Sequence, residues 1–314
     1  MRKALLAAAV LAMTATPGFA QNYKFVIVPK AMNNPFFDFA RDGCEKRAKE
    51  LGNIECIYKG PVEHEPATQA QIIQDFITQK VDGLAISVAD VAAMTKSIEA
   101  ATAAGIAVIT FDSDAPGSKR IAYIGTDNVA AGRQAGEEIK KALPNGGKIA
   151  LFVGTMDADN ARERVQGIKE SIAGTKVELV DVFTDQVDFA KAKANMENVL
   201  VKYPDIALLS GLWSYETPLI YDAVKAAGKA GKVKIVGFDE DQRTLRGISD
   251  GTIESTVVQQ PYEFGYLSAT NIIKTLNGDK SWIPKDSKLI VPTKVISKAN
   301  VAEFAANLKD LLKK

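Results

Sequence analysis

The 314-residue sequence predicts an α/β protein made of two doubly wound parallel-sheet lobes. Short apolar runs alternate with helical stretches along most of the chain, a pattern typical of parallel sheets covered by helices on both faces. The plan repeats in the second half, where "KVKIVGFD" is the counterpart of "GIAVITFD". Both runs end in Phe-Asp, so Asp112 and Asp239 occupy equivalent places in two similar halves.

Glycine and proline mark the boundaries of the predicted elements. Asn33-Asn34-Pro35 supplies a capping residue and a proline at a helix start, and Gly52 ends that helix. In the first half the predicted strands are 23–29, 54–60, 82–88 and 106–112, and the predicted helices are 36–51, 67–80 and 92–104. In the second half the predicted strands are 148–154, 176–183, 206–211 and 232–239, and the predicted helices are 160–172, 189–203 and 218–228.

The charge balance and the residue inventory argue against several classes of function. With 39 basic and 38 acidic residues the net charge is +1, so we expect no basic surface that binds nucleic acid. A single histidine, His64, argues against a histidine-built metal site and against a Ser-His-Asp triad. The sequence has no Gly-x-Gly-x-x-Gly motif after its first strand and no phosphate-binding Gly-Lys-Ser/Thr. We therefore expect neither a cofactor nor a metal ion.

The first twenty residues predict a secretory signal peptide. Arg2 and Lys3 precede a short apolar stretch, and Gly18-Phe19-Ala20 is a small-x-small cleavage site. We expect cleavage after Ala20 and export of the mature chain to a bacterial periplasm.

The sequence contains two cysteines, Cys44 and Cys56. Cys44 falls on the alanine-lined face of the predicted helix 36–51, and Cys56 falls in the predicted strand 54–60. An oxidising compartment would allow them to form a disulfide. Two small buried side chains fit the same pattern equally well, so both interpretations stay open.

Polar and aromatic side chains follow the predicted strands at their carboxyl ends, where open parallel sheets bind ligands. Carboxylates and amides form hydrogen bonds with hydroxyl groups, and aromatic rings cover the weakly polar C–H face of a sugar. Asp112 carries the most weight, because a carboxylate at a buried strand end requires partners, whereas Phe36 or Phe37 could instead fill a core. The strand-end set comprises Asn33, Asn34, Phe36, Phe37, Asp112, Ser113, Asp114, Asp159, Asn160, Arg162, Arg164, Trp213, Ser214, Tyr215, Glu216, Asp239, Gln259 and Gln260.

Several stretches together resemble the periplasmic sugar-binding proteins of ABC transporters, of the ribose/galactose type. They are "NNPFFDFARDG", "VDGLAIS", "GIAVITFDSD", "YIGTDN", "ARERVQG", "AAGK", "IVGFDED" and "DGTIESTVVQQP". The resemblance implies the type I periplasmic binding protein fold, in which a three-segment hinge joins two lobes. It also implies a sugar bound between the lobes and an ABC transporter permease as partner.

The resemblance further implies which residues contact the ligand and where this pocket differs. Ser113 stands where ribose-type members have an arginine, Trp213 where they have an asparagine, and Val187 where they have an aromatic residue. "FVIVPK", "IYKGP" and "TFDSD" are similar to the rhamnose-binding and autoinducer-binding branch, in which the lysine found here as Lys30 contacts the ligand. The contacts carried over from the ribose type are Asn34, Phe36, Phe37, Asp112, Arg164, Asp239 and Gln259.

The same resemblance predicts the course of the chain through the two lobes. Gly125 and Pro261 would flank hinge segments. The N-terminal lobe is expected to comprise 21–126 and 260–290, the C-terminal lobe 127–259 and 291–314, and the crossings to lie near 125–128, 257–261 and 289–292.

The leading hypothesis is therefore a monomeric, exported receptor that delivers a sugar or sugar-like polyol to an ABC transporter permease without chemistry. A chemoreceptor is compatible as a second partner. Within the same class, an autoinducer-binding protein is an alternative. A secreted carbohydrate-active enzyme that uses two of the carboxylates is the alternative from a different class. The export signal and the lack of an N-terminal helix-turn-helix argue against a transcriptional regulator.

Overall fold

The computed structural model describes residues 22–311, so the predicted signal peptide lies outside the described residues. The strands are β1 (Tyr23–Val28), β2 (Ile54–Tyr58), β3 (Gly83–Ile86), β4 (Ala107–Phe111), β5 (Tyr123–Gly125), β6 (Gly147–Val153), β7 (Val177–Thr184), β8 (Ile206–Gly211), β9 (Lys234–Phe238), β10 (Ser255–Val258), β11 (Lys288–Ile290) and β12 (Lys294–Ser297). The helices are α1 (Phe36–Leu51), α2 (Pro66–Thr78), α3 (Val91–Ala103), α4 (Asn128–Ala142), α5 (Asp159–Ile172), α6 (Phe189–Lys202), α7 (Glu216–Ala226), α8 (Gln242–Asp250), α9 (Pro261–Leu276) and α10 (Val301–Leu311).

These elements form two sheets with equivalent strand orders. The first sheet has the strand order β11-β5-β4-β3-β1-β2 and the second the order β12-β10-β9-β8-β6-β7. The four-residue strand β3 is buried along its whole length, because helices cover both faces of the sheet. The predicted class of two doubly wound parallel-sheet lobes is confirmed. The structure adds an antiparallel edge strand, β12, which pairs with β10.

Three segments carry the chain between the two sheets of the described part. They lie between β5 and α4, between β10 and α9, and between β11 and β12. Helix α9 returns to pack on α1 of the first lobe, and α4 packs on α5 of the second. The three-segment connection implied by the sequence is thus present. No helix within residues 22–311 is both long and apolar enough to cross a membrane.

Helix α4 is an element to which the sequence analysis assigns no structure. Its buried face consists largely of alanine and glycine, so few large apolar side chains mark this face in the sequence. Gly132 allows α4 to lie unusually close to α5, because a Cβ atom there would come within 2.3 Å of the carbonyl oxygen of Arg164. The small residues therefore fix the backbone that carries a predicted ligand contact.

Cys44 and Cys56 form a disulfide, which settles the alternative left open by the sequence. The bond ties the inner face of α1 to β2, the edge strand of the first sheet. Cys44 is fully buried, and Cys56 packs against the same apolar cluster. The link joins residues only 12 positions apart, but it anchors an edge strand that has a neighbour on one side only.

Replacing both cysteines by alanine is expected to lower the free energy of unfolding by about 2–3 kcal/mol, because the unfolded chain regains the entropy of a short closed loop. Urea unfolding followed by circular dichroism measures the difference. Dithiothreitol should destabilise the wild-type protein by a similar amount and leave the double variant unchanged. Equal stability of the two proteins without reductant would contradict the prediction.

Candidate functional site

A small cavity of about 20 Å³ lies between the two lobes, at the carboxyl ends of the parallel strands. All ten residues predicted to contact a ligand line it, together with Ala31, Val187 and Ser214. The predicted set is Lys30, Asn34, Phe36, Phe37, Asp112, Asn160, Arg164, Trp213, Asp239 and Gln259.

The two aspartates at equivalent strand ends share one backbone geometry. Asp112 follows β4 with φ 59° and Asp239 follows β9 with φ 65°, both in the left-handed region. This conformation costs a non-glycine residue about 1–2 kcal/mol. In each lobe a hydroxyl from the neighbouring strand binds the carbonyl oxygen of the aspartate, Tyr123 at 3.0 Å in the first and Thr256 at 2.8 Å in the second. The strained turn thus has a specific anchor in both halves.

The carboxylate of Asp112 is buried among three polar side chains. Its Oδ2 atom lies 3.0 Å from the ammonium nitrogen of Lys30 and accepts a hydrogen bond from Ser87 at 2.6 Å. Asn160 of the second lobe donates to Oδ1 over 3.5 Å and accepts from Lys30 over 3.4 Å. Burial lowers the pKa of Lys30, although the ion pair with Asp112 acts in the opposite direction. These contacts supply the polar partners that Asp112, as a carboxylate at a buried strand end, requires.

The charge of the Asp239 carboxylate is compensated less strongly than that of Asp112. Its Oδ1 atom accepts hydrogen bonds from the side-chain amide of Gln259 at 3.0 Å and from the backbone N–H of the same residue at 3.4 Å. Burial raises the pKa of Asp239 to about 6, even though the charge of Arg164 and the bonds from Gln259 favour the ionised form. Gln259 in turn accepts from Thr126 at 3.0 Å. The second lobe therefore presents a carboxyl group that titrates near neutrality.

Arg164 is fully buried beneath the cavity. Its Nε atom donates to Asn128 at 3.0 Å, and Nη1 donates to the carbonyl oxygen of Leu212 at 2.5 Å. The guanidinium lies 4.5 Å from the centre of the Phe238 ring. Its Nη2 atom has no hydrogen-bond partner among the described residues. A buried donor without a partner is costly, so Nη2 is available to an acceptor in the cavity.

Trp213 lies where the resemblance predicts an asparagine. Gly154, directly after β6, makes room for it, since a Cβ atom there would come within 2.2 Å of the indole ring. The ammonium of Lys30 lies 4.2 Å from the ring centre, a cation–π contact between the lobes. The indole Nε1 atom is buried without a partner among residues 22–311. Trp213 thus offers a donor as well as an aromatic surface.

Two buried carboxyl groups position the wall formed by Val187 and Trp213. Asp185 accepts from the backbone N–H of Val187 at 2.8 Å and from the hydroxyl of Tyr215 at 2.6 Å. Glu216 accepts from the backbone N–H of Trp213 at 2.5 Å. Burial raises the pKa of Asp185 to about 6 and that of Glu216 well above its ordinary value. Val187 itself has φ 61°, so this wall is another strained segment held by specific bonds.

The first lobe supplies the aromatic part of the cavity. Phe36 and Phe37 open helix α1 and meet edge to face, with ring centres 5.2 Å apart. Both belong to the apolar core of the lobe and both line the cavity. Asn34 accepts hydrogen bonds from the backbone N–H of Phe36 at 3.2 Å and from the hydroxyl of Ser214 at 2.8 Å. The helix start therefore also carries a hydrogen bond to the other lobe.

Part of the strand-end set lies outside the cavity. Asp114 forms an ion pair with Arg120 at 2.5 Å and makes a structural contact within the first lobe. Arg162 pairs with Asp159 at 3.0 Å on the protein surface. Gln260 donates to the carbonyl oxygen of Pro292 at 2.7 Å, between two hinge segments. A position near the carboxyl end of a strand is therefore not enough by itself to place a residue in the cavity.

Sequence reasoning misses residues that shape the cavity from close by. Ser87 follows β3 directly, so its strand-end position is a signal that could have found it. Ala31 of the first lobe packs into the apolar cluster of the second, and an alanine gives no chemical signal. Asn128 contacts the site residue Arg164 by accepting a hydrogen bond from it, and it also donates to the hydroxyl of Tyr123 and the carbonyl oxygen of Thr126.

The sequence profile of the periplasmic binding protein domain family matches residues 25–280. The chain therefore belongs to this family, whose members are binding proteins, and the type I resemblance seen in the sequence is confirmed. Similar relatives include the ribose import binding protein of Bacillus subtilis (strain 168), which is 32% identical over 79% of this chain and 80% of its own length. The ribose import binding protein of Escherichia coli (strain K12) is 28% identical over 91% and 97%.

Solved structures agree with the fold. The glucose-galactose binding protein GanP of Geobacillus stearothermophilus has a TM-score of 0.84 at 30% identity, over 89% of this chain and 99% of its own. An ABC transporter solute-binding protein of Burkholderia graminis in complex with D-arabinose has the same TM-score and identity, over 90% and 97%. A complex named XylFII-LytSN contains a chain with a TM-score of 0.82 at 29% identity, over 88% and 98%.

The free energy of unfolding is expected to fall between pH 4 and 6.5 by an amount on the order of 2 kcal/mol that depends on Asp239. The unfolded chain releases this proton near pH 3.8, whereas the folded protein retains it to about pH 6. The folded state therefore binds more protons in this interval, so its stability decreases as the pH rises.

Urea unfolding of the wild-type protein and of Asp239→Asn at several pH values measures this effect. The variant should have a flatter profile. Loss of the Asp239 charge also relieves Glu240, whose pKa is raised first by burial and then by that charge. Asp185 is present in both proteins, so its contribution to the pH dependence cancels from the difference between the two profiles. Parallel profiles would show that Asp239 is ionised throughout the interval.

Proposed function

We propose that the protein is a periplasmic receptor that captures a monosaccharide or a sugar-like polyol between its lobes and delivers it to an ABC transporter permease. The observation that carries the proposal is the pair of buried carboxyl groups, Asp112 and Asp239, held at one cavity by equivalent strained turns. Opposed acceptors of this kind suit a ligand with hydroxyl groups on both sides.

The remaining groups in the cavity support a neutral ligand. The two carboxyl groups are matched by two cations, Lys30 and Arg164, so little net charge is left for an ionic ligand. Arg164 and Trp213 each keep one buried N–H donor for an acceptor such as a sugar oxygen. Phe36, Phe37 and Trp213 supply the aromatic surface that covers C–H groups. The relatives named for ribose, arabinose and glucose-galactose binding support the same class of ligand.

The same contacts support binding without catalysis. Asp112 is held by an ion pair and two further polar partners, which leaves it poorly placed to exchange a proton with a substrate. A glycosidase would instead need one carboxylic acid and one free carboxylate beside the scissile bond. An autoinducer, as a sugar-like polyol, would meet the same groups and remains the alternative ligand.

The course of the chain supports transport by closure of two lobes about a hinge. We assign 21–126 and 260–290 to the N-terminal lobe and 127–259 and 291–314 to the C-terminal lobe. The permease would recognise the closed pair of lobes of a monomeric receptor. Cleavage after Ala20 would release the mature chain into the periplasm. The XylFII-LytSN complex supports binding of a second partner protein, for which a chemoreceptor is the candidate.

Thermal unfolding of the purified protein against pentoses, hexoses, deoxysugars and polyols should give a clear stabilisation by one solute. Ligand at 100 times its dissociation constant adds about 2.7 kcal/mol, which corresponds to a shift of several degrees for a protein of this size. NMR of the mixture should find the solute unchanged. Consumption of the solute would favour an enzyme, and a panel without any shift would oppose a sugar receptor.

Asp112→Ala and Asp239→Ala should each weaken binding of that solute by about 2–4 kcal/mol, because a charged hydrogen bond is lost and its partner stays buried. Isothermal titration calorimetry measures the affinity. The matched control is Asp75→Ala, an exposed carboxylate on α2 whose loss should leave the affinity unchanged. Affinity like that of the wild type in both site variants would show that the solute binds elsewhere.

Binding is expected to change the intrinsic fluorescence of Trp213, one of two tryptophans in the chain. The signal should persist in Trp282→Phe, because Trp282 packs against the core of the first lobe and donates to Thr275 at 3.1 Å, away from the cavity. It should disappear in Trp213→Phe. A signal that survives this substitution would argue against contact between Trp213 and the ligand.

A further inference from the structure

A second, larger cavity of about 500 Å³ adjoins the ligand cavity and is open to solvent. We name it the outer cavity and the first one the inner cavity. Phe36, Ser214 and Asp239 line both, so no more than one layer of side chains separates the two spaces. Helix α1 contributes Phe39 from the first lobe, and Phe189 lies on the wall from the second lobe. The outer cavity thus spans the same two lobes.

An aromatic platform faces this space. The rings of Phe189 and Tyr215 stack with centres 4.8 Å apart and planes 28° apart. Phe189 is 38% exposed, which makes it one of the few large apolar side chains in the described part that lie open to solvent. Tyr215 is buried, and its hydroxyl is fixed by Asp185. A rigid ring with an accessible surface is well suited to stack on a sugar ring or an aromatic group.

Polar groups without protein partners complete the wall. Arg246 on α8 is exposed and forms no ion pair within residues 22–311. Glu240 is 7% exposed, and its Oε2 atom has no hydrogen-bond partner among the described residues. A buried polar atom of this kind requires a partner. Both side chains line the outer cavity, so it offers hydrogen bonds that no described residue uses.

One hydrogen bond lies at the boundary between the two spaces. Ser214 lines both cavities, and its hydroxyl donates to Asn34, which lines the inner cavity alone, over 2.8 Å. The bond joins a short hydroxyl of the second lobe to an amide of the first. A substituent leaving the inner cavity on this side would displace this neutral hydrogen bond, whose net contribution is modest.

We propose that the outer cavity is a second subsite, so that the receptor accepts glycosides whose terminal sugar occupies the inner cavity and whose second sugar or aromatic aglycone stacks on Phe189. This inference rests on the proposed function and extends it from free monosaccharides to substituted ones. The inner cavity selects the terminal unit through Asp112 and Asp239. The outer cavity, which is wider and open, tolerates variation in the second unit.

The test compares free sugars with their glycosides by isothermal titration calorimetry. The probes are D-ribose, D-xylose, L-arabinose, D-glucose, D-galactose and L-rhamnose, each as the free sugar and as its α- and β-linked methyl and 4-nitrophenyl glycosides. At least one 4-nitrophenyl glycoside should bind within tenfold of its free sugar or more tightly. Phe189→Ala and Arg246→Ala should weaken that glycoside at least tenfold and change the free sugar less than twofold.

Matched controls separate this effect from general damage. Val201→Ala changes an exposed apolar side chain on the same helix as Phe189, and Arg133→Ala changes an exposed arginine of α4. Neither should alter either affinity.

A free sugar that binds while all of its glycosides lose more than a hundredfold would overturn the second subsite and leave the receptor function intact. A glycoside that binds equally well to all variants would also overturn it. Failure of every free sugar and every glycoside would reject the subsite and the proposed function together.

Discussion

Burial of two carboxyl groups at matching strand ends governs the site and the contact between the lobes. Asp112 and Asp239 are each at most 3% exposed, and a buried charge is costly unless it is paired. Lys30 forms an ion pair with Asp112 within the first lobe, and Asn160 of the second lobe forms hydrogen bonds with both side chains. The positive charge of Arg164 favours the ionised form of Asp239. The polarity of the cavity and the contact between the lobes therefore have one origin.

The duplicated geometry explains how one architecture can present different chemistry on its two sides. Each aspartate takes a left-handed conformation, and each carbonyl oxygen is fixed by a hydroxyl, from Tyr123 in one lobe and from Thr256 in the other. The backbone conformation is the same in the two lobes, whereas the side chains around it differ. Because the turns are fixed by the fold, specificity can change through neighbours such as Trp213 without disturbing the carboxyl groups.

The site is also connected to the hinge through direct contacts. Gln259 follows β10, at one of the crossings between the lobes, and donates to Asp239 while it accepts from Thr126 at another crossing. A ligand that binds Asp239 thus contacts a carboxyl group whose hydrogen-bond partner, Gln259, belongs to a segment that crosses between the lobes. Binding and closure are coupled when a ligand makes better contacts in one arrangement of the lobes than in another.

The fold class, the duplication and the group of candidate residues follow from the order of the amino acids alone. Apolar periodicity is local, and open parallel sheets bind ligands at the carboxyl ends of their strands, so the sequence suffices to place Asp112 and Asp239 at the ligand-binding edge of their own sheets. Helix α4 receives no prediction, and its buried face is largely alanine and glycine. The pairing of Cys44 with Cys56 and the reach of Ala31 into the second lobe emerge only in the folded chain. Such contacts depend on distances between separate elements, and no local pattern encodes those distances.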